Sequence, residues 1–223
     1  MKKLILLLAA LIGGYTAVGQ TTVGLEVRAG LNVSGLYLSE LGDADNYPNA
    51  GINAGALFTV NFPKGFGLET GLVFSMKGNT LENVVDTRTE YRKDAQYVFR
   101  NYLEMPVHFR YRIPVSDKVT LTARVGPYVA LGLYGNVKEE HTTDNPGERR
   151  HTDSKWHSLT VGTGEKDDFK PFDVGIQIGT GVEVWRFTGS VQFGYGFTDV
   201  LPQHTYGNSR NMVFSISAGY RIF

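Results

Sequence analysis

The residue types best able to do chemistry in this sequence are five histidines, a few serines and many carboxylates. His141, His151 and His157 lie among carboxylates, a mixture that borderline metals accept. Their ten- and six-residue gaps match no metal-site spacing. Ser209, His204 and Asp199 supply the types of a nucleophile, a base and an orienting acid, but nothing in their spacing fixes a triad. The glycine series from Gly175 to Gly181 lacks a following helix and the Gly-Lys-Ser/Thr of a phosphate loop. Cysteine is absent, which removes disulfides, thiolate nucleophiles and Cys-ligated metals. Twenty-two basic residues balance twenty-two acids, so nucleic acid is not an expected partner. No catalytic residue, metal ligand or cofactor site is assigned, and no cofactor is expected.

The elements that must position the remaining charges begin after an address. Met1-Lys2-Lys3 is basic, Leu4 to Ile12 is unbroken apolar sequence, and Ala17 and Gly19 suit cleavage before Gln20. Residues 1–19 read as a secretory signal peptide, too short in its apolar core to span a bilayer. Residues 20–223 form the exported domain.

Alternation with period two runs through that domain. Its apolar series are Val23 to Val33, Ile52 to Phe62, Phe66 to Met76 and Tyr97 to Tyr111. They continue as Val119 to Leu133, Phe172 to Val184, Phe187 to Phe197 and Met212 to Ile222. The pattern predicts eight antiparallel strands and no helices. Tight turns at Phe62–Gly65, Ile113–Asp117 and Trp185–Arg186 alternate with longer connectors at 35–50, 78–96, 135–170 and 199–211. That alternation is the plan of an up-and-down outer-membrane barrel, with long loops outside and short turns in the periplasm.

The face opposite the apolar one decides between lipid and water as surroundings. It is rich in Gly, Ser, Thr, Asn and Gln, and it carries Tyr128, Tyr134 and His108. Its charges are Glu26, Arg28, Glu69, Lys77, Arg100, Glu104, Arg110, Arg112, Arg124, Asp173, Glu183 and Arg221. Six of its seven bases are arginine, the side chain suited to desolvated pairing with carboxylates. Eight strands leave an interior only just wide enough for side chains. This face therefore reads as a packed polar interior with no continuous pore, with the all-β barrel embedded in lipid. A soluble ligand-binding barrel is the structural alternative.

Four stretches carry a family likeness. They are Ala29-Gly30-Leu31-Asn32-Val33-Ser34, Tyr102-Leu103-Glu104-Met105-Pro106-Val107, Phe172 to Glu183 and Phe214 to Phe223. In these the chain resembles the PorT-like outer-membrane β-barrel proteins of Gram-negative bacteria, barrels of the OmpA/OmpX kind. The resemblance implies an eight-stranded barrel inserted by the outer-membrane assembly machinery, which reads the last strand. The terminal Phe223 departs from the pattern, because its parity places it on the inward series.

The connector 135–170 is the most distinctive segment, dense in charge from Lys138 to Asp153, with Trp156 as a candidate contact residue. The expected function is a non-enzymatic structural or interaction role. Expected partners are outer-membrane lipid, lipopolysaccharide, the assembly machinery and a protein engaged by the long loops. The alternatives are a narrow transport channel and a lipid-modifying enzyme at the rim.

Overall fold

A computed structural model describes residues 21–38, 45–87, 91–144, 150–164, 167–201 and 208–223. The predicted signal peptide, His204 and residues 145–149 of the third long connector lie outside the described residues. The strands are β1 (Thr22–Leu38), β2 (Asp45–Asn61), β3 (Phe66–Asp86), β4 (Tyr91–Pro114), β5 (Val119–Asp144) and β6 (His151–Leu159). They continue with β7 (Phe172–Val184), β8 (Phe187–Gly196) and β9 (Ser209–Arg221). Every strand pairs antiparallel with its neighbours. β1, β2, β3, β4, β5, β7, β8 and β9 close into a ring of eight. β6 lies outside the ring and, among the described residues, pairs only with the upper part of β5.

Burial is inverted relative to a water-soluble barrel. Leu31 and Phe109 on the apolar series are each 67% exposed, while Glu69 and Asp173 are 1% and 0% exposed. Lipid is the surrounding that makes this arrangement favourable, since apolar side chains need no burial there and charges do. The apolar series faces outward around the whole ring.

Three departures from simple alternation have local causes. The predicted connectors 78–96 and 135–170 are largely strand: β3 pairs with β4 as far as Asp86 and Tyr91, and β5 pairs with β6. About ten tilted residues cross a bilayer, yet β4 and β5 have 24 and 26, so β3 to β6 form a sheet that continues past the barrel. Leu133 is a bulge, because Asn101 pairs with Tyr134 and Tyr102 with Gly132. The extra residue reverses parity, so Tyr134 faces outward, half exposed, and not inward as alternation predicted. A second irregularity lies between Pro48 and Asn53, where β2 leaves the β3 ladder. There the Asn32 amide donates to Met76 O at 3.2 Å, and the Ser34 hydroxyl accepts from Gly78 N at 2.7 Å. Two side chains of the first family-like stretch thus replace missing ladder bonds.

Candidate functional site

The strands turn all thirteen predicted interior residues into the barrel, where they form two clusters. In the upper one Lys77 of β3 is 1% exposed. Its ammonium stands 2.7 Å from Glu104 of β4, an ion-pair contact off hydrogen-bonding geometry, and donates to Asp173 of β7 at 3.1 Å. The rings of Tyr102 and Tyr128 flank it at 4.9 and 4.8 Å. The Tyr128 hydroxyl and the Asn211 amide donate to Asp173 at 3.0 and 2.8 Å. Arg100 donates to Asn79 at 2.8 Å.

The lower cluster lies toward the short turns. One carboxylate, Glu183, holds the guanidinium groups of Arg110, of Arg112 at 3.1 Å and of Arg221 at 3.0 Å. Glu69 meets Arg124 at 3.3 Å, His108 at 3.2 Å and Arg28 at 3.6 Å; Arg28 also donates to Glu26 at 2.7 Å. A short chain joins the clusters. His108 Nε2 is 2.9 Å from Gln177 Oε1, and the Gln177 amide donates to Glu104 at 3.1 Å. Glycine makes room for this packing: a Cβ on Gly175 would stand 2.6 Å from the Tyr128 ring, and one on Gly179 3.0 Å from Arg124 Nε. The glycine series is thus a wall fitted to large side chains. The interior cavity that Arg28, Glu69, Lys77, Glu104, His108 and Gln177 help to line holds ≈ 40 Å³, room for little more than a few waters.

Above Lys77 the barrel is closed by apolar residues that alternation could not reveal. Phe169 and Val200, both 0% exposed, come from the third and fourth long connectors. Phe169 packs on Tyr102, Tyr128 and Ala130, while Val200 packs on Leu36 and Leu38. Backbone bonds tie the two together and to the wall, Lys170 N to Val200 O at 2.8 Å and Gly132 N to Pro171 O at 2.6 Å. Neither residue stands out in sequence, Phe169 being flanked by charged residues and Val200 paired only with Leu201 in a connector without alternation.

The other singled-out residues are placed apart. Ser209 is fully buried; its hydroxyl accepts from Leu201 N at 2.9 Å, and its own N–H donates to Asp199 at 3.0 Å. Both side chains therefore shape the fourth connector. On the extended sheet His141 pairs with Asp94, His157 lies 3.5 Å from Glu139, and His151 lies 3.3 Å from Asp153. The His141 hydrogen bond, helped by Arg92, holds the Asp94 carboxyl below the usual carboxylate range. Trp156 is well exposed on the outward face and stacks on Phe99 at 6.3 Å and 22°. Phe223 follows the end of β9, is exposed, and accepts from Leu25 N at 3.3 Å.

An antiparallel ring of eight strands, apolar outside and ionic within, defines a transmembrane β-barrel. The chain matches the outer membrane protein beta-barrel domain family over residues 18–202 and belongs to it. Its place is therefore the outer membrane. Among solved structures it is similar to Ail, the attachment invasion locus protein of Yersinia pestis, at 12% identity and a TM-score of 0.36. That alignment covers 89% of this chain and 98% of Ail. It is also similar to Neisserial surface protein A, at 12% identity and a TM-score of 0.40, covering 91% of this chain and 99% of that one. No curated protein matches the chain.

Proposed function

We propose that this is a non-enzymatic interaction protein of the outer membrane, of the PorT-like kind, whose working parts are its surfaces and not its lumen. A cleaved signal peptide at residues 1–19 exports it, and the assembly machinery inserts it with short turns in the periplasm and long connectors outside. The sheet formed by β3 to β6 then stands beyond the outer leaflet, where it meets a partner protein or lipopolysaccharide. The observation that carries this reading is the closed lumen. An ionic network fills the barrel, and Phe169 with Val200 seals it on the long-connector side, which disfavours a transport channel. The burial of Ser209 disfavours a rim hydrolase built on that residue.

A shortened sheet tests the proposal. Lys138 and Trp156 pair directly across β5 and β6, so residues 139–155 can be replaced by Asn-Gly, a two-residue hairpin turn. The shortened barrel should still show heat-modifiable migration, yet lose the envelope or surface components that cross-link to the full chain. An unchanged cross-linking pattern would contradict the role of the sheet.

A further inference from the structure

The short-turn end carries features that neither the ionic interior nor the extended sheet explains. Trp185 takes a positive φ of 56° in the two-residue turn between β7 and β8. That conformation favours glycine, and an L-residue adopts it only at a cost, because its Cβ crowds the following carbonyl oxygen. A bulky side chain at such a position points to a use for the ring. The indole is 66% exposed. Lys118 of the preceding turn places its ammonium 5.8 Å from the ring, and Trp185 N donates to Lys118 O at 3.2 Å, so the two turns are tied together. Beside Trp185 a cleft of ≈ 460 Å³ is lined by Arg186, Phe187 and Tyr220, the last two in edge contact at 5.4 Å.

Charge at this end is one-sided. The three short turns carry Lys64, Lys118 and Arg186 against Asp117. Just inside, the lower cluster sets Arg28, Arg110, Arg112, Arg124 and Arg221 against Glu26, Glu69 and Glu183, an excess of two cations. Arg112 and Arg221 are 28% and 33% exposed, so part of that excess reaches the barrel mouth.

We propose that the Trp185 cleft binds an anionic phospholipid. Lys118 and Arg186 donate to the phosphate, the indole packs on the glycerol region, and an acyl chain follows Phe187 and Tyr220. A lipid fits better than an acidic protein segment because the cleft opens onto the outward apolar face, where Phe187 is well exposed. The site rests on the barrel reading, and it lies at the level of the inner-leaflet headgroups if the short turns are periplasmic. Basic side chains at a membrane surface enrich anionic over zwitterionic lipid by about fivefold each.

The sequence contains two tryptophans, so Trp156→Phe leaves Trp185 as the only indole reporter. This chain is reconstituted in phosphatidylcholine vesicles holding a few per cent of either brominated phosphatidylglycerol or brominated phosphatidylcholine. Trp185 should be quenched about fivefold or more strongly by the anionic lipid. The preference should vanish in Lys118→Gln/Arg186→Gln, with heat-modifiable migration retained. Equal quenching by both headgroups overturns the site alone, as does protection of Trp185 by polyglutamate in place of lipid. Quenching by neither lipid, with the chain left outside the vesicles, overturns the barrel reading as well.

Discussion

Lys77 shows how a membrane barrel can keep a charge that a soluble core would reject. Its ammonium is held by two carboxylates and two aromatic rings, so desolvation is offset by contacts on several sides. Lys77→Met leaves Glu104 and Asp173 without their cation, and is expected to destabilise the barrel by about 3–5 kcal/mol. Urea unfolding of vesicle-refolded protein measures this, and adding Asp173→Asn should restore part of the loss. At the other cluster Glu183→Gln releases three guanidinium groups at once. It should cost clearly more than Arg112→Gln, whose part-exposed pair is worth about 1 kcal/mol or less. In phospholipid-free detergent Trp185→Gly should leave stability within about 1 kcal/mol, relief of the positive φ offsetting the added freedom of the unfolded chain. A larger loss would mean that Trp185 serves packing more than lipid.

Among the elements, those inside the bilayer were legible and those outside it were not. Alternation located β7 and β8 nearly to the residue and the short-turn ends of β1, β2 and β9 within one residue. It could do so because lipid on one side and a polar lumen on the other impose opposite chemistry on successive side chains. The other ends of β1 and β2 run on to Leu38 and back to Asp45. Above the membrane most side chains of β3 to β6 are polar and meet water on either face, the contrast fades, and paired strand reads as charged loop. The bulge at Leu133 was equally silent, since Leu133 and Tyr134 suit the outward face equally well. The interior charges followed from parity; Phe169 and Val200 did not, because one or two apolar residues in a loop have no period. The extended sheet should also respond to acid in its own way. Asp94 titrates below its unfolded counterpart because of His141, and Glu140 does so because of Lys138. Their contribution is complete above the unfolded value and is lost as pH falls through the folded one, beginning at about pH 4. Amides at the β4–β5 tip should lose hydrogen-exchange protection there while β7 and β8 keep theirs. Equal retention in both regions would show that these pairs do not hold the tip.

At the scale of the whole molecule, three levels of filling make the barrel a solid body. The arginine–glutamate cluster occupies the short-turn half, the Lys77 cluster lies above it, and Phe169 with Val200 covers the top. On the function proposed above, a protein built this way works through its surfaces, the extended sheet at one end and the cationic, aromatic rim at the other. Planar-bilayer recording of the refolded full-length barrel tests this most directly. Silent membranes under applied voltage are expected, with no discrete openings. Steady unitary conductance from the unaltered chain would contradict a sealed lumen and favour transport over the interaction role.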